Sequence, residues 1–275
     1  MVRRLLRRHS GRRDRGRPGR QVRQRGTYAP THSAALTWHL AVWAVTSAAA
    51  LVPWLIVLGE QRRLRREDAG PVNPAPTVVV TRLWRSRAAL SITALFSSSA
   101  ICTYAAFAWL PEILQDVARS TPTEAGVLPA ITGLISVPGA LIAPLLVPRL
   151  RNVGWLIAAG VLSFALGYLA LLLAPAPLTL LWVLLIGCGS ILFPVCLVLI
   201  NVRTRTHGGT VALSGFAQGT AYALGALGPL LVGLLHGASG GWTLPLLFLL
   251  AVTLAAAIPS ITLGRPTFVE DELSR

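Results

Sequence analysis

The sequence predicts an all-α membrane protein with seven transmembrane helices, the last six forming one bundle. Three observations carry this. Of 275 residues, 53% are hydrophobic and 13% charged, with a mean hydropathy of +0.62, whereas a soluble domain carries about 25% charged residues. Seven uncharged stretches reach the length of about 20 residues that a helix needs to cross hydrocarbon. The basic residues, all Arg and none Lys, collect on a tail and on short links between those stretches. A pI near 11.6 on a compact domain would point to nucleic acid. Charge held on alternate links between apolar runs is instead how a membrane protein distributes it, so no nucleic-acid partner is expected. Lipid offers backbone groups no hydrogen bonds, so each span must be helical.

Taken in order, residues 1–33 form an Arg-rich, low-complexity tail. Eleven Arg stand against the single acid Asp14 within residues 1–25, which is +10 of the formal +15. Too little apolar surface and too much charge predict disorder here. An arm for anionic lipid is the functional reading, and a tail encoded by a misplaced start in GC-rich DNA is the other. No short apolar stretch with a small-residue cleavage site marks a signal peptide. The first span covers 34–58. A basic linker, 59–87, follows with Arg62, Arg63, Arg65, Arg66, Arg82, Arg85 and Arg87, and its segment 77–87 reads as a short surface helix carrying Trp84. Six further spans occupy 88–110, 125–147, 153–173, 178–200, 211–235 and 242–263, within a unit 88–264, and 265–275 is a short tail. Trp38, Trp54, Trp109, Trp155, Trp182 and Trp242 lie near span ends, as an interfacial belt requires.

The links alternate. Arg149 and Arg151, then Arg203 and Arg205, then Arg265 and Arg275 mark one side. The other side has Arg119 among Glu112, Asp116 and Glu124, and no Arg in 174–177 or 236–241. The Arg-rich links and the C-terminus are therefore expected in the cytoplasm of a multi-pass cell-membrane protein. The first span then starts outside and places the polyarginine tail there, against the same bias. Three resolutions are open: the tail is tolerated outside, the first span does not cross, or the chain is the later part of a longer protein.

No catalytic pattern is present: no P-loop, no GxGxxG after a strand, no HExxH, no GxSxG. The chain is not expected to be an enzyme or to hold a cofactor or metal. Cys102, Cys188 and Cys196 lie in apolar runs without metal-ligand spacing and read as small packing residues. Within the last six spans no Asp, Glu, Arg or His falls at mid-depth, so any coupling carboxylate lies elsewhere. The polar groups that remain are candidates for a solute cavity. Ser214, Gln218 and Tyr222 are spaced i, i+4, i+8 and share a helix face. Gly215, Gly219 and Ala223 form a neighbouring small-residue stripe suited to close helix packing. Tyr104 shares a face with Ser97, whose run of serines reads as structural. Gly228 and Pro229 are expected to break their helix, Pro111 to end its helix after Trp109, and Pro194 to mark a flexible point after Gly187-Cys188-Gly189. These four are candidates for helix breaks or gating. His39 and His236 lie near span ends, where an interfacial role fits. PLLV occurs at 144–147 and 229–232, each after a Gly-Ala-Leu triplet, in the middle members of two consecutive span triplets of opposite direction, a pattern of secondary transporters.

The stretch SSSAICTYAAFAWLPEILQDVARSTPTEAGVL (97–128) resembles the seventh helix and following loop of major facilitator superfamily transporters, in the branch of cyanate and 2-nitroimidazole porters. LSGFAQGTAYALGALGPLLVGLLHGASGGW (213–242) is similar to the eleventh helix of that branch and its approach to the twelfth. PLLVPRLRN (144–152) stands where the family has its second cytoplasmic motif, without that motif's acid and glycines, which weakens a gating role for Arg149 and Arg151. The resemblance covers about residues 34–264 and implies family helices six to twelve: one helix plus one half of a major-facilitator-type bundle. It implies a secondary transporter of a small organic or anionic solute that lacks the first five helices, and it favours the third resolution of the topology conflict. The implied partners are the lipid bilayer, a small-molecule solute and the missing N-terminal half or its equivalent. A non-transporting accessory or structural membrane protein with an Arg-rich docking arm is the alternative.

Overall fold

The computed structural model describes residues 41–60 and 80–274, apart from positions 50, 54 and 177. The expected tail 1–33, Trp38, His39, Trp54 and most of the linker 59–87 lie outside the described residues. The chain divides between residues 72 and 73 into two units. In the first, helix α1 (Ala41–Glu60) is long and apolar enough to cross a membrane. Thr46 folds its hydroxyl back onto the Val42 carbonyl at 2.9 Å, which satisfies the donor inside the helix.

The second unit is a bundle of six spans, and the described residues contain no strand. A 3-10 turn, Val80–Arg85, buries Leu83 and leaves Trp84 exposed, edge-on to Phe216. Helices α2 (Arg87–Asp116), α3 (Pro122–Leu146) and α4 (Gly154–Leu173) follow, then α5 (Thr179–Gly189) and α6 (Leu192–Val202), α7 (His207–Ser239), α8 (Thr243–Ala255), α9 (Ala257–Leu263) and the short α10 (Val269–Leu273). Short links make successive spans antiparallel. One end of the bundle carries the Arg-rich links, and the other carries Glu112, Asp116, Glu124 and His236.

Side chains cap α2, α3 and α7 at their starts. Ser86 accepts from the Ala89 N–H at 3.1 Å and Thr206 from the Gly209 N–H at 3.0 Å. Thr121 and Glu124 form a reciprocal capping box at α3. Each such cap stabilises by about 1 kcal/mol. Gly240 ends α7 at φ +66°, the left-handed conformation that favours glycine.

Proline acts differently from its sequence expectation at two places, and as expected at a third. Pro111 does not end α2, which runs on to Asp116. Gly228-Pro229 does not break α7, which is continuous over 33 residues. A proline forfeits one helical hydrogen bond but its φ is already helical, and both sites lie in helices held along their whole length by each other. The fifth span does break, at Ser190–Ile191, four to three residues before Pro194, where the ring displaces the i−4 carbonyl. The seventh span breaks likewise at Ala256, three residues before Pro259.

The buried core runs through the whole bundle, and its most extensive helix pair is the seam between α2 and α7. Ala217, Ala221, Gly225 and Gly228 are buried along α7. A Cβ on Gly228 would stand 2.8 Å from the Ile101 carbonyl oxygen, and one on Gly225 2.9 Å from the Ala100 Cβ. This corrects the expected packing stripe. Gly215, Gly219 and Ala223 are exposed, and a Cβ on Gly215 or Gly219 would meet nothing within 4 Å. Both stripes are small, and they lie on nearly opposite faces. The α2 partner selects the one continuous with Gly225 and Gly228.

The Arg-rich end is closed by the C-terminal segment, which the sequence reads only as a tail. Glu270 of α10 accepts from the Arg205 and Thr206 N–H groups at 3.0 and 3.2 Å. Glu272 accepts from the Ala88 N–H at 3.0 Å and the Ser86 hydroxyl at 2.7 Å. Asp271 pairs with Arg205 at 2.8 Å. Acids on α10 thus serve the starts of α2 and α7, where the dipole favours negative charge. Arg203 is buried, donates to the Leu263 carbonyl at 2.7 Å, and is pulled below its ordinary pKa by desolvation.

Candidate functional site

The expected polar face of α7 is realised as a ladder. The Gln218 amide nitrogen donates to the Ser214 hydroxyl, and the Tyr222 hydroxyl donates to the Gln218 carbonyl oxygen at 3.3 Å. The i, i+4 spacing places each side chain one turn above the last. Tyr222 is 40% exposed, while Ser214 and Gln218 are half-buried. The ladder therefore flanks the small-residue seam with α2, with its Tyr222 end on the open surface.

Aromatic rings continue this surface. Tyr222 stacks on Phe193 with centroids 6.1 Å apart and meets Phe96 edge-on at 5.7 Å. Phe193 contacts Phe96 edge-on at 4.9 Å and Tyr104 at 6.4 Å. Edge-to-face and offset pairs of this kind each contribute about 0.5–1.5 kcal/mol beyond burial. Tyr104 thus joins the α7 ladder through Phe193 rather than directly. Its ring also packs 3.1 Å from where a Cβ on Gly225 would stand, which fixes it against the α2–α7 seam.

Tyr104 and Phe193 also line a cleft of about 310 Å³ between α2, α3 and the break between α5 and α6. Pro194 and Ser190 sit in its wall at that break, and Thr103 and Ser136 add hydroxyls. Ser136 and Ser190 return theirs to their own helix carbonyls. The Thr103 hydroxyl is buried without a hydrogen-bond partner among the described residues. Ser214 and Gln218 lie outside this cleft. Gly228 and Pro229 lie in the α2–α7 seam, and Pro111 lies near the acid-bearing end.

The sequence marks Phe193 only beside Pro194 as part of a flexible helix, not as a site residue. Its signal was faint: one aromatic beside a proline in an otherwise uniform apolar run. The wall so formed is neutral. It offers amide and phenol groups that donate and accept, and aromatic faces for stacking. It suits a small, flat, polar solute held by a few placed groups in an apolar surround.

The wider comparisons agree with this architecture. Residues 28–226 match the family model of the Major Facilitator Superfamily. The chain is 27% identical to the uncharacterized transporter YycB of Bacillus subtilis over 230 residues, covering 83% of this chain and 55% of that protein. It is 32% identical to the 2-nitroimidazole transporter of Escherichia coli over 184 residues, covering 66% and 46%. It is 27% identical to the cyanate transport protein CynX of Escherichia coli over 212 residues, covering 75% and 52%. The chain thus spans about half the length of the curated relatives it matches. No solved structure matches it. With seven helices among the described residues long and apolar enough to cross a bilayer, this is a multi-pass membrane protein. The chain belongs to the Major Facilitator Superfamily.

Proposed function

We propose that this chain forms one wall of the solute path of a secondary transporter for a small organic or anionic solute. The observation that carries this is the Ser214–Gln218–Tyr222 ladder flanking the α2–α7 seam, continued by Phe193 and Tyr104. A purely helix-packing role would have buried the whole ladder, whereas Tyr222 stays 40% exposed. The facing wall is supplied by the missing N-terminal half or its equivalent, a reading supported by the chain spanning about half the length of its relatives. Substrate then sits near the midplane between the two halves, and Pro194, beside Phe193, is the gating point of this wall. The unit 88–264 is the moving half-bundle, 34–58 the helix before it and 59–87 the link between them. The Arg-rich end and the C-terminus face the cytoplasm of the cell membrane.

The neutral wall makes the solute's polarity the discriminating property. The test is an uptake and efflux assay on the chain co-expressed with a first half, using a panel of small anions, nitro-heterocycles and neutral amides. Accumulation or extrusion of one class, lost without the chain, supports the reading. Normal membrane levels with no movement of any class contradict it and favour the accessory-protein alternative.

A further inference from the structure

We infer that Glu112, Asp116 and His236 form a binding site for a divalent transition-metal cation of the Zn²⁺ type at the acid-bearing end of the bundle. The three residues come from two helices, and one ligand atom from each lies within 4.8 Å of the others. Glu112 and Asp116 are spaced i, i+4 and so share the last turns of α2. His236 stands in the last turn of α7.

Three further observations point to a cation. Both helices end here, so the negative ends of two macrodipoles converge on the two carboxylates. Among the described residues neither Glu112 nor Asp116 forms an ion pair, although Arg119 lies in the adjoining link. The His236 Nδ1 atom is buried with no hydrogen-bond partner among the described residues. Buried imidazole nitrogens are normally satisfied, and a neutral imidazole is a common metal ligand.

The surroundings are those of a supported site. The Trp242 indole N–H donates to one Asp116 oxygen at 2.9 Å, which orients the carboxylate and leaves its other oxygen to ligate. The same indole stacks on His236 with centroids 4.0 Å apart and planes 22° from parallel, which fixes the imidazole. The donor set selects the metal. One imidazole and two carboxylates match three-ligand zinc with an open fourth position, whereas Ca²⁺ and Mg²⁺ call for six or more oxygens. Two carboxylates also neutralise a dication. Ligands about 2.0–2.2 Å from the metal lie closer together than 4.8 Å, and the exposed Glu112 side chain is free to close that gap on the oriented Asp116.

The test uses the full chain purified in detergent, with Co²⁺ as a spectroscopic probe and Zn²⁺ as competitor. The expected result is one Co²⁺ per chain with the intense visible bands of tetrahedral N/O ligation, displaced by Zn²⁺ and not by Mg²⁺. Glu112→Gln, at an exposed position, and His236→Gln each weaken binding by at least about 100-fold, and Trp242→Phe weakens it by about 10-fold, as loss of an outer-shell partner does. Absence of tetrahedral bands in the wild type overturns the inference. So does equal binding by the wild type and Glu112→Gln, a variant whose helical circular dichroism should be unchanged, since the metal is then held elsewhere.

Discussion

The Trp109 indole N–H donates to the Pro229 carbonyl oxygen at 2.8 Å, joining α2 to α7 two turns short of the acid-bearing end. The same indole lies 2.7 Å from where a Cβ on Gly233 would stand, so the ring is wedged as well as bonded. This contact ties α2 to α7 immediately beside the proline that forfeits a helical hydrogen bond. Trp109→Phe is expected to keep the apolar wedge and lose the bond. Interhelical bonds in membranes average about 0.6 kcal/mol and reach about 1.7, so thermal unfolding in detergent should show a small but measurable drop.

Gly228 and Gly219 make a paired test of which α7 face is the seam. A Cβ at 228 meets the Ile101 backbone, at 2.8 Å from its oxygen and 3.1 Å from its Cα, and backbone gives way poorly. Gly228→Ala should destabilise by about 1–3 kcal/mol, the usual range for overpacking. Gly219→Ala meets open space and should be neutral in the same unfolding assay.

The spans themselves are legible in sequence because a bilayer demands long uncharged helices, and only composition is needed to find them. Helix faces are not legible in the same way. In helices apolar all round, the sequence holds two small-residue stripes on α7, and only the position of α2 selects between them. Proline is ambiguous for a similar reason. Pro111 and Pro229 stay inside continuous helices because their neighbours hold them, while Pro194 and Pro259 accompany breaks. Of the site, the Ser214–Gln218–Tyr222 face follows from i, i+4 spacing. Phe193, and the meeting of His236 with Glu112 and Asp116 across more than a hundred residues of chain, require the fold.

The C-terminal acids offer a second stability test. Glu270 accepts three hydrogen bonds, two from the Arg205 and Thr206 N–H groups and one from the Thr206 hydroxyl. Bonds to a charged group contribute about 1.5–3 kcal/mol in favourable settings. Glu270→Ala should lower stability by about that amount and expose the 203–206 link to protease. Asp271→Ala removes only the exposed pair with Arg205 and should cost under about 1 kcal/mol.

Orientation is checked by placing single cysteines in a Cys-less background. Positions 151 and 205 are expected to label only after permeabilisation, and 116 and 238 from outside in intact cells. Labelling at 151 by an impermeant reagent in intact cells reverses the assignment.

The central claim is that the α7 ladder contacts solute, and Gln218→Leu in the transporter completed by a first half tests it most directly. Loss of one buried hydrogen bond of about 1–3 kcal/mol predicts a roughly 5- to 150-fold weaker apparent affinity at normal membrane levels. Wild-type transport kinetics for Gln218→Leu, with or without a drop in stability, would contradict the account.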